Sequence, residues 1–171
     1  IDMKRYIIYF DSGTTNSRVY LLDRDFNIKF TARRAVGSRD SAIEGNNLVL
    51  VRALKSLYDE VFKKTDAIEE DIEAIYASGM ITCPYGLHEI PHIVLPVTLE
   101  EFANNIYCHF EKKLFDRDIY LVPGIKTISE DMAFVNNTRG EEVEALGALD
   151  DLAEMGASKN IALILPGSHT H

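Results

Sequence analysis

The sequence is short of cysteine, of positive charge and of long apolar runs, and each shortage closes off a class of protein. It has two cysteines, Cys83 and Cys108, at no metal-binding spacing. Neither a disulfide framework nor a thiolate metal site is expected, and both thiols are read as reduced, in a cytoplasmic protein. Lysine and arginine number 18 against 27 aspartates and glutamates, a net charge of −9. Nucleic acids and anionic membrane surfaces demand a positive footprint, so neither is expected as a partner. No apolar run nears the roughly 20 residues of a membrane-spanning helix, and the stretch after Lys4-Arg5 is too short for a secretory signal. A chain of 171 residues can bury a full core, with one domain as the starting expectation.

The most informative stretch is Phe10-Asp11-Ser12-Gly13-Thr14-Thr15-Asn16-Ser17-Arg18, set between the apolar runs Tyr6 to Phe10 and Val19 to Leu22. It reads as a β-hairpin whose turn is suited to phosphate. Gly13 lets backbone amides converge on an anion, Thr14, Thr15 and Asn16 add donors, and Arg18 adds a planar, permanently charged fork. Asp11 would repel phosphate unless a divalent cation lay between them, which points to a magnesium nucleotide. A short polar turn with no ligand is the bland alternative.

Along the chain, residues 4 to 10 read as a strand buried on both faces, and Val19 to Leu22 and Ile28 to Arg34 complete an antiparallel meander around the turn formers of residues 23 to 27. Gly37 to Gly45 reads as a loop. Leu48, Val51, Leu54, Tyr58, Val61 and Phe62 recur at helical spacing, with Asn46 or Asn47 as N-cap. A strand follows over Ile72 to Ala77, leaving at Ala77-Ser78-Gly79-Met80. Ile93 to Val97 is another short strand, and Thr98-Leu99-Glu100-Glu101 opens a helix with Leu99, Phe102, Ile106, Phe110 and Leu114 inward. Ile119 to Val122 is a strand and Ile125 to Asn137 a loop. Thr138-Arg139-Gly140-Glu141 reads as a capping box for a helix with Val143, Leu146, Leu149 and Leu152 inward and Gly156 at its end. A last strand spans Ile161 to Leu165. His88 and His92 are four apart, but Pro91 denies them a shared helix, so they are not read as metal ligands.

The hairpin resembles the first phosphate loop of the actin, hexokinase and sugar-kinase superfamily, glycerol kinase in particular. Ala77-Ser78-Gly79-Met80, Glu89-Ile90-Pro91-His92, Val122-Pro123-Gly124, Arg139-Gly140-Glu141-Glu142 and Leu165-Pro166-Gly167-Ser168-His169 together resemble the 2-keto-3-deoxygalactonate kinase (2-dehydro-3-deoxygalactonokinase) family. Asn136-Asn137-Thr138 departs from the Asp-Val-Met often found there. The element order resembles the ribonuclease-H-like half of the sugar-kinase fold. The resemblance implies an α/β domain with a mixed five-stranded sheet and helices on both faces, covering 3–158, with a second domain beginning over 159–171.

The resemblance further implies ATP and Mg2+ as cofactors, and transfer of the γ-phosphate to a hydroxyl of 2-dehydro-3-deoxy-D-galactonate to give the 6-phosphate. Asp11 would hold the metal through water. Gly13, Thr14, Thr15, Asn16 and Arg18, with Gly167 and Ser168 from the far end, would bind phosphate. Glu141 and Glu142 are the candidate proton acceptors, with Asp131 in reserve, although Glu141 could equally complete the capping box. Met80, Thr82, Glu89 and Arg139 are candidates for the sugar acid. Arg139 would pair with its carboxylate, or else form an internal salt bridge to Glu142 or Asp131. The chain alone would be inactive without a second domain as partner. Whether it forms a homo-oligomer is open. A kinase for another sugar acid or polyol, or a non-catalytic nucleotide-binding module, fits the same features; a ribonuclease-H-class nuclease lacks the clustered carboxylates and basic track it would need.

Overall fold

A computed structural model describes residues 5–156 and 164–165. Its strands β1 (Tyr6–Ser12), β2 (Ser17–Asp23) and β3 (Ile28–Arg34) form the expected meander, with Phe10 opposite Val19 and Asp11 opposite Arg18. The β2–β3 turn works as its residues dictate: Asp23 accepts the N–H groups of Asp25 and Asn27 at 3.0 and 2.9 Å. Next come α1 (Ser38–Glu44), α2 (Leu48–Lys64), β4 (Ile72–Gly79), β5 (Ile93–Val94), α3 (Leu99–Asn104), β6 (Tyr107–Glu111), β7 (Arg117–Leu121), β8 (Ile125–Lys126), β9 (Asn137–Thr138) and α4 (Glu141–Glu154). The main sheet runs β3-β2-β1-β4-β7-β6. β1, β4 and β7 are parallel, so their C-terminal ends share one edge, where α/β folds bind ligands.

One face of this sheet is the core. Ile8, Phe10, Val19, Leu21, Ile75, Ala77, Ile119 and Leu121 meet Leu50, Leu54, Leu57, Tyr58 and Val61 of α2, all of them buried. Each large side chain buried this way contributes about 1.5–3 kcal/mol. The other face carries a row of tyrosines. Tyr20, Tyr9, Tyr76 and Tyr120 are cross-strand neighbours on β2, β1, β4 and β7, all half-buried. β1 therefore alternates, with Ile8, Phe10 and Ser12 buried and Ile7 and Tyr9 partly exposed, in place of the strand buried on both faces that its apolar run suggests. On the core side α1 and α2 lie together, with α2 packed along β2 and β3.

The main sheet has six strands among the described residues, one more than the family resemblance implies. The extra one, β6, occupies residues expected in a helix through Leu114. The spacing of Leu99, Phe102, Ile106 and Phe110 fits a helix, yet α3 stops at Asn104, where the Asn105 side chain donates to the Glu101 carbonyl at 2.8 Å. The chain then reverses through Asp116 and pairs β6 antiparallel with β7. Leu99 and Phe110 are exposed rather than inward.

Gly37 to Gly45 is a helix, not a loop. Asp40 accepts the Gly37 N–H at 2.8 Å at its start, and Gly45 closes it with a left-handed φ of 70°. The segments Ile93–Val94, Ile125–Lys126 and Asn137–Thr138 form a second, three-stranded sheet out of what reads as a strand and a loop. In α4, Gly156 follows the end with φ 72°, as its place predicts, but Leu146 and Leu149 are exposed and Glu142 is the buried residue. The expected strand from Ile161, and Gly167 and Ser168, lie outside the described residues apart from Ile164 and Leu165. No described helix is long and apolar enough to cross a membrane.

Candidate active site

The hairpin turn between β1 and β2 is held from beneath by α1. Gly13 donates its N–H to the Asn16 carbonyl at 2.8 Å, closing the turn. The first amides of α1 then take the turn's carbonyls: Ser38 N–H donates to Gly13 O at 3.2 Å and Arg39 N–H to Thr14 O at 3.0 Å. A Cβ on Gly37 would collide with those same carbonyls, so glycine is required for the approach. At the hairpin mouth Ser12 and Ser17 join hydroxyls at 3.0 Å, and Ser17 donates onward to the Val36 carbonyl at 2.9 Å. With the carbonyls engaged, the Thr14 and Thr15 N–H groups donate to no acceptor among the described residues. That is the arrangement an anion cradle needs.

Above the turn lies a cavity of about 260 Å³, lined by Asp11, Gly13 to Asn16, Arg18, Arg139, Gly140, Glu141, Glu144 and Leu165. Most of the predicted phosphate residues are thus brought together with the start of α4. Asp11 and Arg18 also touch each other, with Arg18 Nη1 3.1 Å from Asp11 Oδ2. Among the described residues no cluster of three metal-ligating side chains exists. A lone carboxylate beside phosphate donors fits a magnesium ion held mainly by nucleotide and water.

The two glutamates of α4 have different surroundings. Glu142 is only 3% exposed; both its oxygens accept the Gly140 N–H, at 2.8 and 2.9 Å, and the Thr138 hydroxyl donates to it at 3.1 Å. Burial raises its pKa above the ordinary glutamate value, against the pull of those hydrogen bonds. Glu141 lines the cavity and accepts the Arg139 N–H at 3.1 Å. The predicted capping box does not form. The helix begins at Gly140 with φ 110°, which swings Thr138 toward Glu142 and shifts Glu141 one amide along. Gly140 also packs on Gly79 at the end of β4, and a Cβ on Gly79 would strike Ser12 O, so backbone meets backbone where β1, β4 and α4 converge.

Arg139 points into the segment after β4. Its Nη1 donates to Thr82 Oγ1 at 2.7 Å, and its Nη2 to the Ile90 carbonyl at 2.8 Å and to His92 Nδ1 at 3.3 Å. No salt bridge to Glu142 or Asp131 is found; within the described residues the guanidinium meets only neutral acceptors. Thr82 is fully buried, accepting from Arg139 while donating to Gly79 O at 3.0 Å, so it bears on the site through Arg139. Met80 sits half-buried in the turn after β4, and Glu89 is exposed on a neighbouring cavity of about 390 Å³ with His88, Pro91, His92 and Tyr107.

The sequence signature of the 2-keto-3-deoxy-galactonokinase family matches residues 11–171. The chain belongs to that family of carbohydrate kinases. A Sinorhizobium meliloti protein of known structure, provisionally named 2-dehydro-3-deoxygalactonokinase, superimposes with a TM-score of 0.71 at 24% identity, over 96% of this chain and 48% of its own. The chain therefore spans about half the length of that relative. No protein of curated function matches.

Three parts of the candidate site in this galactonokinase-family chain escape sequence reasoning. Gly37 and α1 support the hairpin turn, and the signal was present in Gly37 followed by Asp40. His92 contacts Arg139, a role that its place in the Glu89-Ile90-Pro91-His92 motif does not reveal. Tyr9 donates toward or accepts from Ser78 at 2.5 Å beneath the cavity edge. Burial, with the charges of Asp11 and Glu142 adding to it, pushes the Tyr9 pKa up to about 12, so the phenol is neutral.

Proposed function

We propose that this chain supplies the phosphate-holding half of a kinase that moves the γ-phosphate of ATP to the terminal hydroxyl of 2-dehydro-3-deoxy-D-galactonate, giving the 6-phosphate. The observation that carries this is one cavity shared by the phosphate turn, Asp11 and Glu141, with Arg139 at its side. The β- and γ-phosphates would lie on the Thr14 and Thr15 amides and on the hydroxyl and amide groups of Thr14, Thr15 and Asn16. Gly13 would contribute by its shape, because its own N–H closes the turn. Asp11 would hold magnesium through water, and Arg18, released from Asp11, would turn to phosphate. The metal, when bound, neutralises charge on the transferring group.

Arg139 would receive the sugar-acid carboxylate, its guanidinium forming no direct ion pair with a carboxylate among the described residues. The sugar hydroxyl oxygen then bonds to the γ-phosphorus as the bond to the bridging oxygen of ADP breaks, and the hydroxyl proton passes to a carboxylate. Glu141 suits that role better than Glu142, whose oxygens are enclosed and already accept Gly140 and Thr138. We read residues 3–158 as the first domain and 159–171 as the start of a second that would close over the nucleotide, which the twofold length of the structural relative supports. The residues described here then bind ATP weakly on their own.

The test is ADP release by the full-length protein with the galactonate acid and its gluconate epimer, for wild type and Glu141→Gln. Turnover on the galactonate acid, lost by more than about a hundredfold in Glu141→Gln while ATP still binds, is the expected result, general-base assistance contributing 10²–10⁴-fold. Turnover on neither acid refutes the substrate, and full turnover in Glu141→Gln refutes the proton acceptor.

A further inference from the structure

The 3.3 Å contact between Arg139 Nη2 and His92 Nδ1 fixes the chemistry of the imidazole. A guanidinium only donates, so Nδ1 must offer its lone pair and the ring proton must sit on Nε2. Nε2 is buried and finds no partner among the described residues. An apolar side chain would fill the same space without that orphaned atom, so the bond to Arg139 is what the imidazole contributes here. Burial first, then the charges of Arg139 and Lys126, hold the His92 pKa below the ordinary histidine value and keep the ring neutral.

The three acceptors around the Arg139 guanidinium divide the work. Thr82 Oγ1 takes Nη1, the Ile90 carbonyl and His92 Nδ1 share Nη2, and all three come from the segment between β4 and β5. None carries charge, so these bonds orient the guanidinium without a direct ion pair; the Glu142 and Glu89 carboxylates act on it only through space. Gly124 passes so close that a Cβ there would press on both the His92 ring and the Arg139 side chain, which keeps the two in register.

We propose that His92 is a positioning residue for sugar-acid recognition: its Nδ1 lone pair holds the Arg139 guanidinium in the orientation that receives the substrate carboxylate. This rests on the reading of Arg139 given above. Asparagine places its amide oxygen near the Nδ1 position and can still accept from Arg139, whereas glutamine reaches the Nε2 position and cannot replace Nδ1. The pair separates the bond from the bulk.

The experiment is steady-state kinetics of the full-length protein carrying His92→Asn, His92→Gln or Arg139→Gln, with thermal melts of each. His92→Gln should raise KM for the sugar acid about tenfold and leave KM for ATP alone, as expected for one lost bond to a charged donor. His92→Asn should recover to within about threefold of wild type, short of that tenfold loss. Equal loss in the two His92 variants, or a fall in kcat with no change in sugar-acid KM, overturns the proposal. A normal sugar-acid KM in Arg139→Gln overturns the Arg139 reading and this one with it; a raised KM there beside a normal His92→Gln overturns the role of His92 alone. Long-range ¹H–¹⁵N correlation of the wild-type imidazole checks the tautomer independently of any variant. Protonation on Nε2 is expected, and protonation on Nδ1 overturns the proposal.

Discussion

Glu142 grips the amide of Gly140, two residues before it, with both carboxylate oxygens, at 2.8 and 2.9 Å. A glutamate inside the first turn of α4 thus fastens the helix start to the backbone it grew from. Because burial raises its folded-state pKa above the unfolded value, the native state holds this proton longer than the unfolded one. Its contribution to stability is fully present below the ordinary glutamate pKa and is lost as pH rises through the raised one. Urea unfolding across that window should show the slope in wild type, and Glu142→Gln should flatten it; an unchanged slope would remove Glu142 as its source.

Gly37→Ala should damage nucleotide use more than fold. The added methyl meets the Gly13 and Thr14 carbonyls, and overpacking of this kind costs about 1–3 kcal/mol. Relief by movement of the turn would splay the phosphate amides. The expected outcome is a rise in KM for ATP of about tenfold or more with the sugar-acid KM little changed, measured beside a modest fall in melting temperature.

Asp11→Asn tests the opposite combination. The Asp11–Arg18 pair is largely solvated, with side chains 30% and 44% exposed, and such pairs contribute about 0–1 kcal/mol. Stability should therefore barely move, while turnover drops and its magnesium dependence shifts to higher concentrations. A large loss of stability would mean that the pair is structural.

Tyr9→Phe removes the phenol that meets Ser78 at 2.5 Å and leaves a fully buried serine hydroxyl unmatched. A loss of about 1–3 kcal/mol is expected from chemical denaturation. Ser78→Ala in the same background should add little, because the two side chains share one bond.

Much of this was readable from local pattern. The meander, α2 and the hairpin turn follow from alternation, helical spacing and turn residues that lie next to one another in the chain. β6 was not, because Leu99, Phe102, Ile106 and Phe110 keep helical spacing while a neighbouring strand edge offers Tyr107–Glu111 a better use of its backbone. α1 has no apolar stripe; its support is Asp40 on Gly37 and the contact of its amides with the turn. In the site, the choice between Glu141 and Glu142 turns on the positive φ of Gly140, which no spacing rule reveals. His92 and Arg139 meet across 47 positions of sequence, beyond the reach of any local motif.

The tyrosine row has a practical corollary. Four of the chain's eight tyrosines stand in it, and there is no tryptophan. Ring centroids of 6.0 Å for Tyr9 and Tyr20 and 5.1 Å for Tyr76 and Tyr120 place the phenols close enough to pass excitation along the row. Half of the tyrosines thus stand on a single face of the sheet, so whatever comes to cover that face should announce itself as a change in emission brightness, with no dye attached.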